Sequence, residues 1–324
     1  MNFENIFHSY SKSDFLTHAL SLFRYQYHYN TLYRSYCDFL RIDQEKVTTL
    51  SMIPFLPISF FKAFPVKTGD FEPELEFWSS GTSGNEKSKH LVKSATLYEC
   101  AFVHSFKYFY GNPSNYCFLT LLPNYLTQEH SSLVYMMSHF ISNSKFEESG
   151  FYLHNHEELF NTIVQLKEKK RKTILFGVSF ALLDFAAQYT FDFSDLMVFE
   201  TGGMKGRRPE IVKEELHTIL KNAFGVKQIY SEYGMCELLS QAYSNRENLF
   251  ATPPWMKFLL RDEKDPLFHS ETLRMGAINI IDFANVYSCA FLATDDIGKQ
   301  ATNGMIEILG RLDAAQIRGC NLIY

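Results

Sequence analysis

The run Ser79-Ser80-Gly81-Thr82-Ser83-Gly84, followed by Asn85-Glu86-Lys87, places small and hydroxylated residues ahead of a lysine. Small residues let backbone N–H groups approach a polyphosphate, hydroxyls add donors, and Lys87 adds charge. The composition suits a phosphate clamp, and equally a flexible surface turn. No Gly-Lys-Ser/Thr ending is present, so this is not the loop of the common nucleotide triphosphatases. In Tyr233-Gly234-Met235-Cys236-Glu237, a carboxylate could hold Mg²⁺ against phosphate oxygens, and a tyrosine beside glycine could lie against a planar base. Such an acidic turn can also be purely structural. Thr294-Asp295-Asp296 offers carboxylates to vicinal ribose hydroxyls, and in Gly310-Arg311-Leu312-Asp313 an arginine could offset phosphate or leaving-group charge.

The elements that must position these residues read as an α/β body. Leu196 to Phe199 form an apolar run that leads into Gly202-Gly203. A helix is expected next, with Pro209 in its first turn, Val212, Leu216, Ile219 and Leu220 on one face and Gly225 as its stop. Val226 to Tyr230 then reads as a second strand. Strand, helix and strand of these lengths make a right-handed parallel crossover, whose ligands gather at strand C-terminal ends. Phe15, Leu20, Phe23 and Tyr27 place helices in the N-terminal region, and from residue 250 onward short β-prone runs predict a β-rich subdomain. The expected division is a helical region over 1–70 packed on a core domain over 71–324, with 250–324 as the β-rich part.

Composition removes several function classes. At 46% hydrophobic and 21% charged residues the 324-residue chain is ordinary globular protein. A net charge of −5 gives no general attraction to nucleic acid. The apolar run Ile174 to Leu183 is too short to span a bilayer, and Met1-Asn2-Phe3-Glu4-Asn5 does not resemble a secretory signal, so the expectation is a cytoplasmic protein without stable membrane insertion. Six cysteines show no paired metal spacing.

Taken together, the four motifs resemble the adenylate-forming superfamily of acyl-CoA synthetases, luciferases and nonribosomal adenylation domains. Its serine/threonine/glycine phosphate loop matches Ser79 to Lys87, Tyr-Gly-x-Thr-Glu matches Tyr233 to Glu237, Thr-Gly-Asp matches Thr294 to Asp296, and Gly-Arg-x-Asp matches Gly310 to Asp313. Cys236 stands where threonine is usual and Asp295 where glycine is usual. The resemblance implies the large domain of that superfamily: parallel and mixed sheets covered by helices, with a small β subdomain near the C-terminus. It implies that ATP and Mg²⁺ bind, with Ser79, Ser80, Gly81, Thr82, Ser83, Gly84 and Lys87 around the triphosphate and Glu237 on the metal. Tyr233, Gly234 and Cys236 would line the nucleotide, with Gly202, Gly203 and Met204 bordering adenine, Asp296 on the ribose and Arg311 on the nucleotide side of a hinge.

Glu-Thr-Gly-Gly-Met-Lys-Gly-Arg at 200–207 and the segment Pro123-Asn124-Tyr125-Leu126 look like the acyl-protein synthetases of bacterial bioluminescence operons. That likeness implies activation of a carboxylic, fatty acid as acyl-adenylate and transfer of the acyl group to a thiol, that of Cys320 before delivery to an acceptor protein or that of the acceptor directly. Arg318 beside Cys320 would favour the thiolate. Superfamily members continue for about a hundred residues past the hinge as a lid domain, and the expectation for this chain, ending at Tyr324, is that the lid is lacking. Two alternatives stay open: an aryl- or acyl-CoA ligase with a compact or separate lid, and a nucleotide-binding scaffold without turnover.

Overall fold

A computed structural model describes residues 5–79, 87–123, 128–202, 211–246, 248–262, 265, 267–270, 272–302 and 304–311. Along the chain, helices α1 (Lys12–Tyr29) and α2 (Thr31–Phe39) are followed by β1 (Leu56–Pro57), α3 (Phe60–Ala63), β2 (Leu75–Trp78), β3 (Lys89–Val92) and α4 (Ala95–Tyr110). Then come β4 (Cys117–Leu121), α5 (Ser132–Ser142), β5 (Gly150–Phe151), α6 (His156–Glu168), β6 (Thr173–Val178), α7 (Ser179–Ala186), β7 (Met197–Thr201), α8 (Lys213–Phe224) and β8 (Ile229–Tyr233). The remainder is β: β9 (Ala242–Arg246), β10 (Leu249–Ala251), β11 (Met256–Arg261), β12 (His269–Ser270), β13 (Met275–Asp282), β14 (Phe291–Gln300) and β15 (Ile306–Arg311). The chain divides into two compact units, one of residues 1–104, 234–241 and 251–324, the other of 105–233 and 242–250.

The second unit is the parallel α/β layer. Strands β5, β4, β6, β7 and β8 pair in parallel in that order, and β9 adds antiparallel to β8. Every residue of β4 and β6 is buried, which explains why they are apolar apart from Thr120 and Thr173: a strand covered on both faces has no polar side to alternate with. The expected crossover is present as β7, α8 and β8, with Val198 opposite Ile229. Gly225 ends α8 at φ +64°, and a Cβ there would lie 2.6 Å from the Asp192 Cα. Glycine is thus required twice over, by the left-handed backbone and by the close approach. The following strand starts at Ile229 rather than Val226, because Phe191 and Phe193 N–H groups bond the carbonyls of Ala223 and Phe224 and hold the end of α8 against another segment.

In the first unit β12, β11, β13, β14 and β15 form an antiparallel sheet in that order, with β1 parallel to β14. The expected β-rich character after residue 250 is seen here. Strand β14 begins only at Phe291, since Asp282 caps a 3-10 turn over Phe283–Tyr287 by accepting from Ala284 N–H. Helix α1 starts where Ser11 Oγ accepts the Asp14 N–H and buries Phe15, Ala19, Leu22, Phe23 and Gln26. Gln26 is polar but satisfied: it donates to the carbonyls of Asn285 and Val286 and accepts from Ala290 N–H. Among the described residues no helix is long and apolar enough to cross a membrane.

Candidate functional site

In the first unit, β2 and β3 form an antiparallel hairpin with Trp78 opposite Lys89, and the expected phosphate loop is its connection. Ser79 closes the loop at its base: its N–H donates to Ser88 O and its Oγ accepts the Ser88 N–H, both at 3.0 Å. Lys87 is exposed, with Nζ 5.6 Å from the Trp78 ring centre. Ser80, Gly81, Thr82, Ser83 and Gly84 lie outside the described residues.

Two residues past the loop, His90 is 1% exposed. Its Nδ1 lies 2.7 Å from the Cys236 carbonyl and its Nε2 2.9 Å from Ser288 Oγ. The imidazole therefore ties β3 to the Cys236-Glu237 turn. Burial pulls its pKa down to about 4, so it is neutral, with the tautomer set by these partners. Cys236, in the usual place of threonine, points its thiol at Ser88 O, 4.0 Å away, and burial pushes its pKa well up. It acts here as a buried weak donor, not a thiolate. Glu237 is 5% exposed, and its carbonyl accepts from Asn285 Nδ2 at 2.7 Å. Among the described residues no group of three or more His, Cys, Asp or Glu could cage a metal. A single buried carboxylate fits Mg²⁺ whose other ligands are phosphate oxygens and water.

Asp296 and Arg311, from separate motifs, are cross-strand partners in the β14–β15 pair, with Nε 3.9 Å from Oδ1. The arginine is largely exposed, so the ion pair itself adds little stability. Its interest is placement, since it puts a guanidinium beside the carboxylate expected to take ribose. The turn leading to Asp296 rests on Arg261, a buried arginine that sequence reasoning missed. Arg261 donates to Thr294 O at 2.5 Å, Ile278 O at 3.2 Å and Asn279 Oδ1 at 3.0 Å. Thr294 Oγ1 in turn donates to Ile278 O and accepts the Asp296 N–H.

In the second unit, Gly202 follows β7 at φ +70° and Tyr233 closes the adjacent β8. Tyr233 is half-buried and meets Phe250 edge-on, ring centres 6.0 Å apart. Gly203 and Met204 lie outside the described residues. Beneath these strand ends is a buried polar cluster. Glu200, 2% exposed, accepts from Ser231 Oγ at 2.5 Å and Ser179 Oγ at 3.2 Å, and has Lys213 Nζ at 2.8 Å and His217 Nε2 at 3.6 Å. Burial opposes its charge, but Lys213, His217 and Ser231 outweigh it and hold the carboxyl at about 2. Glu232 accepts from Thr201 Oγ1 at 2.6 Å; burial, joined by the charge of Glu200 and only partly opposed by Thr201 and Lys213, raises it to about 7. Two neighbouring carboxyls are thus driven apart. Strand alternation does not signal them, because both Ser231 and Glu232 are buried in succession.

A cavity of about 460 Å³ in the first unit, lined by residues including Ile42, Val47, Ile53, Phe55 and Asn279, contains none of the motif residues. Cys320 lies outside the described residues.

The chain is similar to ATP-bound MatB from Rhodopseudomonas palustris (TM-score 0.53, 15% identity, 75% of this chain and 49% of that one). It is also similar to the O-succinylbenzoate coenzyme A synthetase MenE from Bacillus subtilis in complex with ATP and magnesium ion (TM-score 0.51, 15% identity, 74% and 50%). These likenesses define the class: the fold is that of adenylate-forming enzymes, and the chain spans about half the length of either solved chain. The chain belongs to the LuxE acyl-protein synthetase family, whose model matches residues 5–324, and is a ligase by that membership. The long-chain-fatty-acid–luciferin-component ligase of Vibrio harveyi is 26% identical over 335 residues, 95% of this chain and 86% of that protein.

Proposed function

We propose that the protein condenses a fatty acid with ATP and passes the acyl group to a thiol. In the first step a carboxylate oxygen bonds to the α-phosphorus of ATP and pyrophosphate leaves, giving acyl-adenylate. In the second, the thiolate of Cys320 bonds to the acyl carbon and AMP leaves. A thiol on an acceptor protein then takes the acyl group by exchange.

The pairing of Asp296 with Arg311 across β14 and β15 carries this reading. It puts the carboxylate proposed to accept ribose beside a cation suited to the phosphate that follows, which supports the reading. In the proposed arrangement Ser80, Thr82, Ser83 and Lys87 hold the triphosphate, from a loop whose ends Ser79 and Ser88 fix. Tyr233 and Gly202-Gly203-Met204 border adenine. Glu237 would hold Mg²⁺, which when bound neutralises charge building on the phosphate oxygens. No protein nucleophile is needed for the first step, since alignment and charge stabilisation suffice.

Incubation with ATP, Mg²⁺, labelled pyrophosphate and a series of carboxylic acids should give label in ATP, strongest with long-chain acids. No exchange with any acid, together with no nucleotide binding, refutes the reading. For the second step, Cys320→Ala should abolish the hydroxylamine-sensitive acyl-protein while leaving exchange intact. An undiminished acyl-protein in that variant shows that the thioester forms elsewhere.

A further inference from the structure

The cavity of about 460 Å³ in the first unit is of the size that takes a small molecule, and it serves no step of the chemistry proposed above. Val47, Ile53 and Phe55, each at most 5% exposed, give it an apolar wall, and exposed Met52 carries that wall out to solvent. Acceptors along the lining are taken. The carbonyls of Val47, Pro54 and Phe55 accept from Arg24, the Tyr33 hydroxyl and the Tyr36 hydroxyl. The Asp43 carboxylate has Lys46 Nζ at 3.1 Å and accepts the Glu45 N–H at 3.2 Å.

Two donors of the lining are not taken. Asn279, on β13, is 1% exposed, and its Oδ1 accepts from Arg261 Nη1 at 3.0 Å. A guanidinium only donates, so this bond fixes which way the amide is turned. The other end of the amide, Nδ2, is buried without a hydrogen-bond partner, a state that folded proteins seldom leave unanswered. Arg41, where α2 ends, is exposed and makes no ion pair among the described residues.

We propose that this cavity is a ligand site separate from the nucleotide motifs, and that it takes an apolar carboxylate whose head accepts from Asn279 Nδ2. The tail replaces water along Val47, Ile53 and Phe55, and Arg41 supplies the opposite charge. Arg261 adds to the preference for an anion, since it is buried and donates to the neutral oxygens of Ile278, Asn279 and Thr294, with Asp295 offsetting its charge in part. A wholly apolar ligand would leave Nδ2 unpaired, and an ammonium head would meet donors where it needs acceptors.

The test is photolabelling of the full chain, without ATP, by a decanoic acid that carries a diazirine in its tail, with the labelled peptides mapped by mass spectrometry. Label should fall on residues 40–55 and be displaced by decanoate but not by decylammonium, which has the same tail and the opposite charge. Asn279→Asp keeps an oxygen for Arg261, removes the N–H₂ and sets a carboxylate against the ligand, so labelling there should fall about tenfold. Val47→Phe fills the cavity from its apolar wall and should abolish the label. No label on residues 40–55, displacement by decylammonium as readily as by decanoate, or undiminished label in either variant overturns the proposal. Should Asn279→Asp not fold, Val47→Phe and the decylammonium competition decide. Pyrophosphate exchange takes no part in the readout, so this site and the function proposed above stand or fall separately.

Discussion

Replacing Lys213 by methionine removes the ammonium 2.8 Å from Glu200 Oε1 and leaves a carboxylate that is 2% exposed without its main cation. The cost can be worked from two directions. Deleting one partner of a buried ion pair costs about 3–5 kcal/mol. The depression of the Glu200 carboxyl from 4.5 to about 2, the net of burial against Lys213, His217 and Ser231 together, amounts at about 1.4 kcal/mol per decade to about 3 kcal/mol for the whole set, of which Lys213 is the first contributor. Lys213 is itself 30% exposed, so water replaces part of what it supplies and the lower figure, about 3 kcal/mol at pH 7, is the expectation. The sign of the pH dependence follows from the depressed pKa: the contribution of Glu200 is fully present above pH 4.5 and is lost as pH falls toward 2. Without Lys213 burial dominates and the carboxyl takes its proton at higher pH. The deficit of the variant should therefore shrink on acidification below neutrality. Urea unfolding followed by circular dichroism at several pH values measures it, and adding Glu200→Gln to Lys213→Met should recover most of the loss. A variant within about 0.5 kcal/mol of wild type at pH 7, or a deficit that does not change with pH, refutes this account of the cluster.

Glu237→Gln should lower Mg²⁺-dependent pyrophosphate exchange roughly a hundredfold, a magnitude typical of removing one preorganised electrostatic group; unchanged exchange removes Glu237 from the metal. His90→Phe should destabilise the first unit by about 2–3 kcal/mol, because it strips a hydrogen bond from both the Cys236 carbonyl and Ser288, as read by urea midpoints. His90 is held neutral with a pKa of about 4, so its linkage term is fully favourable above pH 6.5 and is lost as pH falls toward 4. The stability gap to the phenylalanine variant should accordingly narrow over that interval. Gly225→Ala should cost about 2 kcal/mol or more in a thermal melt, since the left-handed φ and the Asp192 backbone both resist a Cβ.

The parallel body was legible where an apolar run meets glycines, as Leu196 to Phe199 ahead of Gly202 do at β7, and where a left-handed glycine must stop a helix, as at Gly225. Both signals are local, and each survives without knowledge of the partner strand. The motif residues were legible for a different reason: hydroxyls, glycines and a carboxylate in a fixed order have few uses. What sequence did not disclose are groups whose meaning lies in a distant contact. His90 is one imidazole among eleven until Cys236 and Ser288 close on it. Arg261 reads as a surface arginine at the end of β11 until Thr294 and Asn279 bury it. Glu200 and Glu232 belong to successive strands of one parallel pair, and only the β7–β8 register makes them neighbours.

The pairing of Leu56 in β1 with Leu292 in β14 has a consequence for how the protein is made. Gln26 likewise waits for Asn285 and Ala290. At a synthesis rate of about 5–20 residues per second, roughly ten to fifty seconds separate the emergence of such partners. The parallel strands between them, from Cys117 to Tyr233, all leave the ribosome within that interval and can form their own layer. Until β14 arrives, the aromatic face of α1, with Phe15 and Phe23, has no sheet to cover. The nascent chain thus carries the Phe15 side of this helix uncovered through most of its translation, while Tyr33 of α2 already meets Phe23.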